Sequence, residues 1–260
     1  MRIKLTFEDL KGRDIVLPIH YGYLLHYLVY NIFSEGMAQK LYLEGFPIDG
    51  KKFKLFTFSN IIEKGTKVNN ALNFGKYITF YFSSPLYEIV EDLGSNAFRK
   101  TGITLNDFNL FLVAVEVIKA PRLTDNVLIR TLSPITAYST FFNNGKRTTH
   151  YYRPTESEFN RLIEQNAQNK YLIIKKAQGL PIKEDEINNL HISIEPYKFS
   201  LEKNKKIVYF KNTVIECFSG IFKLTGSLEL IYATYDAGLG VKSSEGFGMW
   251  DVWNERSNLK

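Results

Sequence analysis

Apolar and polar residues alternate along the first residues of the chain, and this alternation predicts a strand. In the segment RIKLTFE, Ile3, Leu5 and Phe7 fall on one face, because successive side chains of a strand point to opposite sides of the sheet. A second short extended piece, DIVLP, is predicted at 14–18. The chain therefore begins with two extended segments joined by a turn.

The pattern changes after Pro18 to the spacing of a helix, which Pro18 opens and Gly36 ends. Tyrosines and one histidine occupy the half of this helix opposite its apolar face. A second short helix is predicted at 37–44, before Gly45. The apolar side chains that share one half of the first helix are Leu24, Leu25, Leu28, Val29, Ile32 and Phe33.

The rest of the first half predicts two strands, a helix and a final strand. The strands are predicted at 52–60 and 76–84, the helix at 86–102, and the final strand at 108–120. The last segment, FNLFLVAVEVIKA, is a continuous Val-rich apolar run of the kind found in buried strands. The resulting order, strand, helix, strand, strand, helix, strand, is that of the ferredoxin-like split βαβ arrangement.

The segment APRLTDN separates this unit from a second one with approximately the same order. The predicted fold class is therefore α+β, with tandem ferredoxin-like (RRM-like) domains at 1–122 and 123–260 and a C-terminal glycine-rich loop. The second half predicts a strand at 127–138, a polar insertion at 142–150, a helix at 156–178, strands at 190–199, 205–212, 214–226 and near 249–253, and a helix at 228–238.

Composition places the chain among globular proteins and favours a phosphate-bearing partner. The chain is 45% hydrophobic and has no apolar run of the length that a membrane span needs. Cys217 is the single cysteine, so no internal disulfide is expected; we interpret Cys217 as a core residue and expect a cytoplasmic protein. The net charge of +6 favours a phosphate-bearing partner. The 16 Tyr and 20 Phe suit stacking on unpaired bases, or equally an aromatic-rich core.

The segment AGLGVKSSEGFGMWDV, residues 237–252, is unusually rich in glycine. Ser243 stands where a dinucleotide-binding loop needs its third glycine, and the segment lacks the Gly-Lys-Ser/Thr ending of a P-loop. Two explanations stay open. The backbone N–H groups approach phosphates, with Lys242, Ser243 and Ser244 as further donors, or the glycines form a hairpin or helix cap with Phe247 and Trp250 in the core.

The same segment resembles the C-terminal glycine-rich loop of the CRISPR-associated endoribonucleases that cut precursor CRISPR RNA within its repeats, a family of the RAMP superfamily. The segments TLSPITA and KLFTFS, and the LP that precedes a tyrosine-rich helix, match the family as well. The resemblance implies tandem ferredoxin-like domains and an RNA-binding loop. The residues that it assigns to RNA binding are Gly238, Gly240, Lys242, Ser243, Ser244, Gly246, Phe247 and Gly248.

The resemblance also implies the chemistry. Members of the family cut RNA without a metal, by attack of a 2′-hydroxyl on the adjacent phosphorus, which leaves a cyclic phosphate and a 5′-hydroxyl. Such a reaction needs a base, an acid and positive charge near the phosphorus. The histidines at positions 20, 26, 150 and 191 lack the ligand spacing of a metal site, so neither a metal nor another cofactor is expected.

The resemblance places Tyr30 and Lys54 on the family's active-site tyrosine and lysine. Tyr42, in LYLEGF, stands where the family has its histidine, and a tyrosine with a pKa near 10 is a poor base at neutral pH. His26 lies four residues before Tyr30 and so next to it on the helix. We predict that His26 replaces the missing histidine, with His20 as the alternative.

The sequence thus predicts a metal-independent endoribonuclease that binds CRISPR repeat RNA and cleaves precursor CRISPR RNA into guide RNAs. The alternative is a catalytically weak or inactive repeat-RNA-binding subunit of a CRISPR effector complex. A small-molecule-sensing module is a third class, without motif support. The expected partners are precursor CRISPR RNA and other effector subunits, with no membrane, and the chain is expected to be a monomer or homodimer.

Overall fold

Two antiparallel sheets, each packed against helices, form the framework of the protein. The computed structural model describes residues 1–48, 50–143, 145–181 and 184–254. The strand orders of the two sheets are those of ferredoxin-like units, and the predicted α+β fold class is confirmed. No helix in these ranges is long and apolar enough to cross a bilayer.

The first sheet has β1 at its centre, between β8 and β10, in the order β5-β8-β1-β10-β9. The strands of the first half are β1 (Arg2–Asp9), β2 (Val16–Pro18), β3 (Phe46–Ile48), β4 (Lys51–Phe53), β5 (Thr57–Phe58), β6 (Thr66–Val68), β7 (Ala71–Asn73), β8 (Tyr77–Ser83), β9 (Ile103–Leu105) and β10 (Phe108–Ile118). The helices are α1 (Gly22–Ile32), α2 (Glu35–Gln39) with a π-helical continuation (Lys40–Glu44), and α3 (Tyr87–Arg99).

The second sheet repeats this arrangement in the order β14-β17-β11-β18, with two hairpins, β12–β13 and β15–β16, added outside it. Its half of the chain contains β11 (Asn126–Thr131), β12 (Tyr138–Asn143), β13 (Lys146–Tyr151), β14 (Ile192–Tyr197), β15 (Lys205–Phe210), β16 (Thr213–Phe218), β17 (Ile221–Gly226) and β18 (Trp250–Val252). The helices are α4 (Ser157–Ala177), α5 (Glu184–Asn188), α6 (Leu201–Asn204) and α7 (Leu228–Ala237), and a 3₁₀ turn covers Ser243–Glu245.

Five elements differ from their predicted form. The strand predicted at 127–138 ends at Thr131 as β11, and β12 begins at Tyr138. The strand predicted at 52–60 breaks at Leu55, whose φ is +51°, and the segment 214–226 divides at Gly220 into β16 and β17. The polar insertion forms the β12–β13 hairpin. The first helix begins at Gly22, because Pro18 belongs to β2.

The Val-rich strand β10 is exposed along much of its length, so the prediction that it is buried is wrong. Its partner β9 covers only Phe108–Leu110. Val113, Val115 and Val117 lie beyond that pairing and are exposed. An apolar run alone did not distinguish a central strand from one that extends past its neighbour.

The two halves of the chain are joined by a buried interface on α7. Arg2 of β1 is buried, donates to the Tyr235 carbonyl at 2.8 Å, and lies 3.8 Å from the centre of the Tyr235 ring. The N-terminal ammonium pairs with Asp236 at 3.1 Å. Ala233 and Ala237 also pack into the core of the first half. These contacts fix the end of α7, where the glycine-rich segment begins, against the first sheet.

Candidate functional site

Four side chains predicted to take part in catalysis meet at one place beside α1. The rings of His26 and Tyr30 are 4.8 Å apart, and those of Tyr30 and Tyr42 are 6.3 Å apart. Lys54 Nζ lies 3.2 Å from Tyr30 Oη. The structure therefore brings together residues from α1, the π-helical turn and the break between β4 and β5.

The local structure explains why these side chains face outward. Leu25, Leu28 and Val29 bury one face of α1, which leaves His26 and Tyr30 one turn apart on the other face. Leu55 and Phe56 are both buried, whereas Lys54 is partly exposed and lines a cleft. The positive φ of Leu55 permits this arrangement and leaves Lys54 on the open side.

The glycine-rich segment determines the tautomer of His26. His26 Nδ1 lies 2.9 Å from the backbone carbonyl oxygen of Ser244. Because a carbonyl oxygen only accepts hydrogen bonds, Nδ1 carries the proton and Nε2 of the neutral ring is free to accept one. Burial lowers the pKa of His26 below its ordinary value. At neutral pH the ring is therefore uncharged and positioned as a base.

Tyr30 and Lys54 supply a hydroxyl donor and a cation. Burial raises the pKa of Tyr30, so its hydroxyl keeps its proton. Burial lowers the pKa of Lys54. Lys54 Nζ lies 5.5 Å from the centre of the Tyr30 ring and 4.9 Å from that of Tyr42, within the range of cation–π attraction. Tyr42 thus provides an aromatic wall for the ammonium.

His20, the alternative base, lies outside this cluster. Its ring packs against Tyr209 at 4.6 Å and contacts none of the four clustered side chains in the described part of the chain. His26 is edge-on to Phe210, the neighbour of Tyr209 on β15, at 5.4 Å. The β15–β16 hairpin of the second half therefore packs against both histidines, but only His26 reaches Tyr30.

The glycines of the loop serve close packing of its backbone. Gly246 and Gly248 have φ values of +87° and +79°, which favour glycine. A Cβ atom on Gly248 would lie 2.1 Å from the carbonyl oxygen of Leu239, and one on Gly246 would lie 2.5 Å from the ring of Phe58. The loop therefore folds back on itself and onto β5 with no room for side chains.

Lys170 of α4 holds the start of this loop from inside. Its ammonium donates to the carbonyl oxygens of Gly238 at 2.6 Å and Gly240 at 2.9 Å, and to Ser243 Oγ at 2.7 Å. All three of its N–H donors are thus used. The side chain is 3% exposed, and burial lowers its pKa to about 7. We call this group the Lys170 clamp.

The Lys170 clamp was not predicted from the sequence, although a signal was present. Lys170 shares the face of α4 that carries Ile163, Ala167 and Ile174, all of which are buried. A lysine on the apolar face of a helix is rarely buried unless it is paired. Its position predicted an unusual partner, but the partner lies 68 or more residues further along the chain.

Most of the loop residues that are predicted to contact RNA are buried in the structure, and RNA contact stays a prediction for all eight. Ser243 commits its hydroxyl to Lys170, and Phe247 packs in a small core with Cys217. Burial raises the pKa of the Cys217 thiol to about 12, as expected for a core residue. Lys242, Ser244 and Gly246 are partly exposed. The buried members are Gly238, Gly240, Ser243, Phe247 and Gly248.

A basic cleft extends from the cluster between the two halves. It encloses about 270 Å³ and is lined on one side by Lys51, Lys52 and Lys54 and on the other by Lys242. Lys242 is paired with Glu245 at 2.9 Å. Tyr138 and Asn166, among others, complete the walls. Lysines on both sides of a cleft favour a polyanion as its ligand.

Comparison with known proteins identifies relatives along almost the whole chain. The C-terminal model of the CRISPR associated protein Cas6 family matches residues 118–252. A CRISPR-associated endoribonuclease Cas6 of Pyrococcus furiosus is 29% identical over 96% of this chain and 88% of its own length. A second one, of Methanocaldococcus jannaschii, is 25% identical over 96% and 91%. The solved structure of a Cas6-related protein from Pyrococcus furiosus superposes with a TM-score of 0.78, at 22% identity, over 98% of this chain and 99% of that one.

Substitution of a glycine in the packed loop should cost far more stability than substitution of a glycine whose missing side chain faces open space. Gly248→Ala is expected to lower the free energy of unfolding by about 3 kcal/mol, from left-handed strain and overpacking together. Gly12 has a φ of +64° and no atom near its missing Cβ, so Gly12→Ala isolates the strain and should cost about 1 kcal/mol. Urea titration measures both, and equal losses would contradict tight packing at Gly248.

Lys170 should make stability depend on pH above neutrality. Its pKa of about 7 in the folded protein is below the 10.4 or so of an unfolded lysine. Between these values the unfolded chain binds more protons at this residue, so the contribution of Lys170 to the free energy of unfolding should rise with pH, in the direction opposite to that of Cys217 and Tyr30, whose pKa values burial raises. Lys170→Met should remove this rise, and Lys176→Met, on the exposed side of the same helix, should keep it. Urea titrations at pH 7 and pH 10 compare the variants; a rise that persists in Lys170→Met contradicts the assignment.

Proposed function

The chain belongs to the Cas6 family of CRISPR-associated proteins, and from this premise we propose that it is an endoribonuclease that binds CRISPR repeat RNA and cleaves precursor CRISPR RNA. Two relatives of nearly the same length carry the name endoribonuclease. The observation that carries the proposal is the hydrogen bond from His26 to Ser244, beside Tyr30 and Lys54, because it leaves a free ring nitrogen next to a cation and a hydroxyl donor.

In the proposed reaction His26 acts as the general base. Its Nε2 removes the proton from a ribose 2′-hydroxyl, and the 2′-oxygen attacks the adjacent phosphorus. The bond from phosphorus to the 5′-oxygen then breaks, and that oxygen receives a proton. The products are a 2′,3′-cyclic phosphate and a 5′-hydroxyl. No step of this route needs a metal ion or another cofactor.

Tyr30 and Lys54 act on the other side of the phosphorus. Lys54 donates to Tyr30 Oη, so the tyrosine's own O–H is free to point at the substrate. We assign Tyr30 to protonation of the leaving 5′-oxygen and Lys54 to stabilisation of the charge that develops on the phosphorane. Tyr42 contributes by holding the ammonium against its ring, and it takes no proton.

The RNA backbone is proposed to follow the basic cleft. Lys51, Lys52 and Lys242 line it, and Ser244 in its wall offers a hydroxyl group. We divide the chain into domains at 1–122 and 123–260, since this cut falls between β10 and β11.

We place the activity in the cytoplasm. The single cysteine, Cys217, forms no internal disulfide, which agrees with this placement.

Substitution of His26 tests the catalytic assignment. His26→Ala should reduce cleavage of a cognate repeat RNA in EDTA by at least about 100-fold, the usual contribution of a positioned base, while the Kd changes little. His20→Ala and His191→Ala serve as controls and should cleave normally. Denaturing gels measure cleavage, and filter binding measures affinity at several salt concentrations.

The other outcomes of that experiment distinguish between the alternative bases and between the alternative functions. Unchanged cleavage by His26→Ala removes His26 from the mechanism, and loss of cleavage in His20→Ala alone transfers the role of base to His20. Tight, salt-sensitive binding by the wild type without cleavage contradicts the enzyme and supports an RNA-binding subunit of an effector complex. Absence of RNA binding at low salt contradicts both functions.

The pH dependence of the rate tests the state of His26. The base must be neutral, so the rate should rise with pH through the pKa of His26, which burial lowers below its ordinary value of 6.5. Single-turnover rates between pH 4.5 and pH 8 should therefore have their acid midpoint below 6.5 and be level from pH 7 to pH 8. A midpoint above 7 would contradict the buried, neutral base.

A further inference from the structure

A groove beside His26 remains unused by the cleavage steps. It encloses about 660 Å³ between α1, α2 with its π-helical continuation, and the tip of the β15–β16 hairpin. Tyr27, Tyr42, Glu35 and Gln39 are the lining residues that matter for its chemistry, and His26 lies in the same wall. Any RNA whose phosphate reaches His26 must therefore place a neighbouring nucleotide at or near this groove.

The walls of the groove are aromatic and exposed. Tyr27 is 49% exposed and Tyr42 is 63% exposed. The ring of Tyr27 packs against no other ring in the described ranges, unlike Tyr23, which contacts Phe210 at 5.6 Å. Large exposed rings of this kind are suited to stacking on unpaired nucleobases, which every base accepts through its flat face.

The rim of the groove carries two polar side chains without partners. Glu35 and Gln39 lie one turn apart on α2, are exposed, and make no side-chain hydrogen bond to any described residue. A glutamine amide pairs with N6 and N7 of adenine in a bidentate manner, and a carboxylate accepts from exocyclic amines. A carboxylate at this position repels phosphate, so the rim suits a base edge and not the RNA backbone.

We propose that this groove binds an unpaired adenine adjacent to the scissile phosphate, stacked on Tyr27 and recognised at its edge by Gln39 and Glu35. The inference rests on the proposed function, because it is His26 that brings the phosphate to this place. Lys211, whose Nζ lies 5.1 Å from the centre of the Tyr23 ring, lines the opposite side of the groove and is available to the backbone of the bound nucleotide.

The test uses a repeat RNA whose cut position has first been mapped with the wild type. The two nucleotides that flank the cut are then randomised, and products are sequenced at early times. The wild type should prefer adenine at one of these positions by about fivefold or more, the lower end of discrimination by a bidentate pair. Gln39→Ala should lose this preference while it still cleaves.

Matched variants separate stacking from recognition of the edge. Tyr27→Ala should weaken binding of the adenine-containing RNA by about fivefold or more, and Tyr27→Phe, which keeps the ring, should not. Tyr87→Ala and Gln178→Ala change exposed residues of the same types, at the start of α3 and just after the end of α4, and should behave as the wild type.

The failure of this inference differs from the failure of the proposed function. Equal cleavage of all flanking bases, a preference for another base, or an adenine preference that persists in Gln39→Ala overturns the adenine groove and leaves the endoribonuclease intact. A Tyr27→Ala variant that binds like the wild type overturns the stacking role. If the wild type cleaves no RNA, the proposed function fails and this inference fails with it.

Discussion

The three hydrogen bonds of the Lys170 ammonium fix the loop on which the orientation of His26 depends. They hold the carbonyls of Gly238 and Gly240 and the hydroxyl of Ser243 at one point. The next residue, Ser244, presents the carbonyl that selects the Nδ1-protonated ring. A buried cation with fully satisfied donors is rigid, since any shift leaves polar groups unpaired in a dry interior. The ring of His26, the proposed base, is therefore oriented from within the second half of the molecule.

The same arrangement explains the glycines of the loop. A loop that is drawn inward by a lysine and folds back on its own backbone has no space for side chains at Gly246 and Gly248. The partly exposed residues of the loop are left to face the cleft. The buried face makes the loop rigid, and that rigidity gives Lys242 and Ser244, for which RNA contact is proposed, a fixed position in the wall of the cleft.

The main strands and helices of both halves and their order could be predicted from the sequence, because periodicity and helix punctuation are local properties. The short elements β6, β7, β9, α5 and α6 were not predicted. The helix bearing His26 and Tyr30, and the match of Lys54 to a family motif, likewise needed only short segments. The break at Leu55 and the Lys170 clamp could not be predicted in this way. Each depends on residues distant along the chain. The Leu55 carbonyl receives a hydrogen bond from Ser84, and Lys170 bonds to two backbone carbonyls and the Ser243 hydroxyl, 68 or more residues further along the chain.

The buried pair of Arg2 and Tyr235 has a consequence for recombination between related proteins. The pair joins β1 to α7, the helix that leads into the glycine-rich loop. It therefore keeps His26 of the first half aligned with the Ser244 carbonyl of the second half, although neither Arg2 nor Tyr235 takes part in the proposed chemistry. The two halves are consequently not interchangeable modules. A recombinant that joins the first half of this chain to the second half of a relative would have to carry a matched strand and helix, or it would separate a histidine from its carbonyl.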